Sequence, residues 1–122
     1  MSTYGRAERF PEPAVKELVT VFQQLADPMR LRILAALIEQ GELNVTALTD
    51  RFSLTQPAVS HHLMLLRMSG LVQCCRAGRF VLYRIDSPEL ANLIERGFRL
   101  AAGGTTLDCR DFSLTFKRRQ PG

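Results

Sequence analysis

At 122 residues the chain has room for one domain and a core that needs no disulfide or metal staple. A hydrophobic share of 46% beside 23% charged residues excludes a disordered chain, which is poorer in aliphatics and more lopsided in charge. The net charge of +4 supports by itself only a weak preference for polyanions.

The distribution of that charge is more informative. Between Asp50 and Asp86 there is no acidic residue, while Arg51, Arg67, Arg76, Arg79 and Arg84 all fall inside the window. An ordinary solvated face mixes both signs, so this segment is expected to be a basic contact surface. No apolar run reaches the ~18 residues of a membrane span. Arg6, Glu8, Arg9 and Glu12 stand where a signal peptide would need an apolar stretch, which makes the cytoplasm the expected compartment. Three cysteines, two of them adjacent, do not make a secreted disulfide framework, and free thiols are expected.

Residues 1–12 read as an N-terminal arm. A first helix should begin near Pro13, because Val15, Leu18, Val19, Phe22, Leu25 and Ala26 recur at helical spacing. Asp27 followed by Pro28 stops that helix and starts the next: aspartate accepts backbone N–H groups, and proline suits the first helical position. The second helix should run to Gln40, bury Leu31, Leu34, Ala35 and Ile38, and end at Gly41, which tolerates a positive φ.

Asn44 is a suitable cap for a short third helix, Val45 to Phe52, with Val45, Leu48 and Phe52 facing inward. Ser53-Leu54-Thr55 is long enough only for a turn. Thr55 can cap a fourth helix from Gln56 to Ser69, where Pro57 is tolerated because first-turn N–H groups lack helical partners. Val59, Leu63, Leu65 and Leu66 give that helix its core side, and Gly70 closes it.

From Leu71 the period changes to alternation. Leu71 to Arg76 and Arg79 to Ile85 read as a hairpin on a two-residue turn, Ala77-Gly78. That register sets Arg76 opposite Arg79, Cys75 opposite Phe80 and Cys74 opposite Val81. It places Val72, Cys74, Val81, Tyr83 and Ile85 on the inner face. Like charges facing each other cost ~0.2–1 kcal/mol, which an adjoining row of phosphates would relieve.

Ser87-Pro88-Glu89 is a strong start for a last helix reaching about Ala102. Its stripe of Leu90, Leu93, Ile94, Phe98 and Ala101 is either core or a subunit interface. Residues 103–122 form a tail in which Phe112, Leu114 and Phe116 alternate as an additional strand would, before the basic Lys117-Arg118-Arg119. The working unit is thus 13–102: mostly α, with four helices, a small β-hairpin wing and a fifth helix.

Two helices joined by a three-residue turn, followed by a hairpin, make a winged helix-turn-helix, whose second helix fits the major groove. Read outward, that helix presents Gln56, Ser60, His61 and Arg67. Glutamine pairs bidentately with adenine, serine and histidine reach bases or phosphates, and arginine takes a guanine or a phosphate. Adjacent His61 and His62 project about 100° apart on a helix, which suits neither joint ligation nor a catalytic pair.

Leu25-Ala26-Asp27-Pro28-Met29-Arg30-Leu31-Arg32-Ile33-Leu34 and Gln56-Pro57-Ala58-Val59-Ser60-His61-His62-Leu63, with Leu66-Arg67, Gly70-Leu71-Val72, Gly78 and Tyr83, resemble the ArsR/SmtB family of repressors. The resemblance spans about Phe22 to Ile85. It implies a transcriptional repressor that binds operator DNA, most readily an inverted repeat, as a homodimer held by its first and last helices. It also implies DNA contacts at Gln56, Pro57, Ser60 and His61. Thr55, Arg67, Arg76 and Arg79 join them from the reading of the helix and wing, while His62 is assigned to supporting the helix.

The resemblance also bears on the signal. The family's soft-metal site uses two cysteines flanking one residue on the helix before the recognition helix, and here Asn44 and Thr46 stand in their place. Its zinc site on the last helix needs ligands where this chain has Asp86 but also Pro88, Arg99 and Ala102. Neither donor set can hold a metal in the family's manner, so no metal or cofactor is assigned. Cys75 and Cys109 are left as candidate sensing thiols for a redox or soft-metal repressor, with Cys74 in the core. Motifs of phosphate loops, zinc hydrolases and nucleophile elbows are missing, which argues against an enzyme. A winged-helix interaction module without DNA binding is the alternative from another class.

Overall fold

Among the described residues, four of the five helices begin on a side chain that accepts a backbone N–H, and these caps fix where the chain turns. The computed structural model describes residues 9–102, together with the backbone of two short strands further on. Helix α1 spans Glu12–Leu25, α2 Pro28–Gln40, α3 Val45–Phe52 and α4 Gln56–Met68. Strands β1 (Val72–Ala77) and β2 (Phe80–Ile85) form the hairpin, and α5 (Pro88–Ala101) follows. Asp27, Asn44, Thr55 and Ser87 cap α2, α3, α4 and α5 by accepting from the N–H three residues on. α1 has only Pro11 at its start, with no side-chain cap.

The core is assembled from α2, α3, α4, the hairpin and α5. Ile33, Leu34, Ala36 and Leu37 of α2 pack with Leu48 of α3 and with Val59, Leu63 and Leu66 of α4. Leu71, Val72 and Ile94 close it from the hairpin and α5. This corrects the expected stripe of α2. Leu34 is buried as expected, but Leu31, Ala35 and Ile38 are only half-buried, and Ile33, Ala36 and Leu37 take the inner positions. α2 is apolar around most of its girth, so spacing alone could not choose between adjacent faces.

α1 buries none of its residues. Val15, Leu18, Val19 and Phe22 are about half exposed, and only Val21 and Leu25 pack against the core. Together with Leu31, Leu93, Phe98 and Ala101, Phe22 and Leu25 border an apolar groove of about 480 Å3 between α1, α2 and α5.

The hairpin is held at its base and along one edge. Its base closes through the Asp86 N–H donating to the Leu71 carbonyl at 3.0 Å. The free edge of β2 is pinned by an antiparallel bridge in which Leu43 and Tyr83 exchange backbone hydrogen bonds of 3.1 and 2.8 Å. Beyond α5, strands β3 (Thr106–Asp108) and β4 (Ser113–Thr115) pair antiparallel, so the tail contains two strands where alternation suggested one. Phe112, Phe116, Cys109 and the basic end lie outside the described residues.

The cap of α2 also sets a pH dependence. The Arg30 N–H, 2.9 Å from the Asp27 carboxylate, holds that carboxyl below its ordinary value of 3.8, with the Arg30 guanidinium adding to the pull against partial burial. A lowered folded-state value means the stabilisation is complete above the unfolded value and is lost as pH falls through the folded one. Asp27→Ala should therefore lower stability at neutral pH by about 1 kcal/mol. In urea titrations the gap from the unsubstituted chain should narrow as the pH falls below 3.8.

Candidate nucleic-acid interface

Ser53, at the end of α3, has φ 54°, the sole positive φ outside glycine among the described residues. The chain can therefore reverse within Ser53-Leu54-Thr55, helped by the Leu54 N–H donating to the Thr49 carbonyl at 3.2 Å. Thr55 then restarts the helix: its hydroxyl accepts the Ala58 N–H at 3.2 Å, and Pro57 occupies the first turn. Val59, Leu63 and Leu66 fix α4 to the core by its inner edge. Gln56, Pro57, Ser60, His61, Met64, Arg67 and Met68 are left exposed on the outer one.

The expected residues of α4 thus come together on one open face. His61 is exposed, whereas His62 turns inward; their rings sit 6.2 Å apart, and His62 Nδ1 is buried without a hydrogen-bond partner. Met64 and Met68 were missed when the helix was read for polar groups only. Counting positions around the helix, rather than selecting residue types, would have placed both on the outer arc.

The hairpin register differs from the expected one. Ala77 pairs with Phe80, so Gly78 and Arg79 form the turn, Arg76 faces Val81, Cys75 faces Leu82 and Cys74 faces Tyr83. Arg76 and Arg79 are therefore not opposite one another, and the expected cross-strand repulsion between them does not arise. The reason is conformational. Tight hairpin turns of the primed types need a positive φ at their first central residue, which glycine supplies and alanine resists. Gly78 has φ 64°. The slip is by two residues in the pairing sum, so the inner face keeps Val72, Cys74, Val81, Tyr83 and Ile85 as read from the sequence.

The five arginines of the acid-free window do not share one role. Arg51 is paired with Glu39 at 2.7 Å, and Arg84 lies 3.9 Å from Glu42 while donating to Gln73 at 3.4 Å. Gln73 in turn donates to the Asp86 carboxylate at 2.9 Å, which ties down the base of the wing. Among the described residues Arg67, Arg76 and Arg79 have no carboxylate partner, and all three are exposed. The Arg79 guanidinium lies over the Phe80 ring, 5.6 Å from its centre, which stiffens the wing tip. Cys75 is exposed and Cys74 half-buried, on opposite faces of β1. No group of three or more His, Cys, Asp or Glu suited to a metal ion occurs among the described residues.

This arrangement of helix, tight turn, outward helix and pinned wing has counterparts. Residues 27–73 match the model of the bacterial regulatory protein, arsR family. The arsenic resistance transcriptional regulator ArsR1 of Pseudomonas putida is 37% identical over 89 residues, covering 70% of this chain and 69% of that protein. The chain belongs to the ArsR family. Another ArsR relative, the arsenical resistance operon repressor of Escherichia coli, is 40% identical over 85 residues, 66% of this chain and 72% of the relative. Among solved structures, the homodimeric winged helix-turn-helix DNA-binding domain Mb0332 of Mycobacterium bovis superposes with a TM-score of 0.71. It is 29% identical, over 84% of this chain and 91% of that one. As an ArsR-family member the chain is a DNA-binding transcriptional repressor with a winged helix-turn-helix fold. No helix among the described residues is long and apolar enough to cross a membrane.

The wing depends on one backbone conformation. Gly78→Ala places a side chain at φ 64° and should cost about 1 kcal/mol locally. Hydrogen exchange should speed up at the hairpin amides next to the turn while the buried amides of α2 and α4 stay protected.

Proposed function

We propose that the outer arc of α4 enters the major groove of an operator and that the wing arginines hold the adjoining phosphates. The observation that carries this reading is the position of Arg67, Arg76 and Arg79. Arg67 stands on the outer arc of α4 and Arg76 and Arg79 near the tip of the hairpin, all three exposed and without carboxylate partners among the described residues, so their charge is available to a polyanion. Gln56, Ser60 and His61 supply base-directed groups, with Gln56 suited to adenine. Thr55 uses its oxygen as the cap and keeps its hydroxyl proton for a phosphate, while Pro57 shapes the entry of the helix. Arg67 reaches a phosphate or a guanine from the far end of the helix.

In this reading the working unit is 13–102 and acts as a homodimer. The unburied face of α1 and the exposed Leu93 and Phe98 of α5 border one apolar groove, which a second copy would cover. A twofold protein reads an inverted repeat, one half-site per recognition helix. The chain binds and releases DNA without catalysing a reaction, and it does so in the cytoplasm, where bacterial operators are. Exposed Cys75 is kept as a candidate sensing thiol, with Cys109 outside the described residues.

Two substitutions separate grip from reading. Arg79→Ala should weaken binding to all duplexes and reduce the slope of log affinity against log salt by about 1, whereas Gln56→Ala should relax preference at one base pair of each half-site. Fluorescence anisotropy over a salt series measures both. A wild-type affinity indifferent to salt would remove the proposed phosphate contacts. Phe98→Glu should shift the protein to monomer in sedimentation equilibrium and weaken operator binding in parallel, since the charge would be buried in the interface.

A further inference from the structure

Met64 is half exposed at 50%, on a helix whose other outward groups are mostly polar. At about 100° per residue it lies about 40° from Ser60, and about 60° from both Arg67 and His61, within the open arc. It borders a cleft of about 340 Å3 between α4 and the hairpin, with Ser60, Leu63, Arg67, Met68 and Tyr83. It takes no part in the apolar groove of α1, α2 and α5. Met68, one turn on, is different: it also borders a cleft against Leu18 and Val21 of α1, and so has neighbours from the first helix.

We propose that Met64 is a specificity-determining residue that reads the 5-methyl group of a thymine in each half-site. The inference rests on the placement of α4 in the major groove proposed above. In that groove each base pair presents donors and acceptors, and the one apolar group on offer is the thymine methyl. An unbranched, polarisable thioether chain can adjust to meet it, and polar neighbours on either side fix the register in which it does so. Cytosine at that position presents an amino group and no methyl, so the contact favours thymine without any hydrogen bond.

The test uses a duplex selected by the wild-type protein from a random-sequence pool. Its thymines are replaced, one symmetric pair at a time, by uracil, which lacks only the methyl. At one pair the wild type should lose roughly 4-fold in affinity when one half-site is changed and roughly 15-fold when both are, the size expected from uncovering one methyl in each. Met64→Ala should bind thymine and uracil equally at that pair, with unchanged thermal unfolding because the side chain lies outside the core. Wild-type indifference to uracil at every position, or undiminished discrimination by Met64→Ala, overturns the assignment. So does a selected duplex with no thymine in its half-sites. If the wild type retains no duplex above non-specific binding, the groove reading itself fails, and the Met64 assignment falls with it.

Discussion

Val59, Leu63 and Leu66 attach α4 to the rest of the molecule, and every functional property of that helix follows from this attachment. Each is fully buried against α2 and α3, at about 1.5–3 kcal/mol of favourable transfer per side chain. Because they occupy one edge, the opposite edge is left free whatever residues it carries. On the proposed reading a change on the outer arc therefore alters recognition with little effect on folding, whereas a change on the inner edge moves the whole reading surface. Thr55 and Ser53 complete the constraint: one sets where the helix begins and the other lets the chain arrive from α3 at the required angle.

The wing is placed by backbone more than by side chains. Leu43 and Tyr83 exchange two hydrogen bonds, and the Asp86 N–H reaches Leu71, so the hairpin is anchored at its edge and its base. Its tip is stiffened by Gly78 in the turn and by Arg79 over Phe80. The cations are thus carried on a short lever with a fixed root. Arg84, near Glu42 and donating to Gln73, contributes to that root, whereas Arg51 pairs with Glu39 between α3 and α2, and the outward charge is left to Arg67, Arg76 and Arg79.

Much of this was legible in the sequence because it is local. Asp27-Pro28, Asn44, Thr55 and Ser87-Pro88 act within a few residues of themselves, and the helices begin where those caps stand. What was not legible depends on distant partners. α2 has apolar residues on adjacent faces, and only the arrival of α4 and the hairpin decides that Ile33, Ala36 and Leu37 go inside. The hairpin register was misjudged because two registers two apart give the same inner face, leaving the turn to decide. There the need for a positive φ at the first turn position outweighs the symmetry of placing glycine second. The acid-free window was real, but Glu39 and Glu42, outside it in sequence, reach back in space to Arg51 and Arg84.

Two of the apolar exposures among the described residues are distinct in kind. The groove of α1, α2 and α5 is broad, continuous and flanked by aromatic rings, the form of a surface that excludes water when another surface covers it. Met64, with Met68 one turn on, makes only a small apolar spot on a mostly polar arc, too small to drive association, and on the proposed reading it biases recognition. A large apolar area supplies free energy without direction, while an isolated one set among hydrogen-bonding groups contributes discrimination. On the proposed reading, affinity for DNA rests on Arg67, Arg76 and Arg79, which have no carboxylate partner among the described residues, and on doubling through the groove. Sequence preference on that reading rests on the few side chains that the buried edge of α4 holds outward.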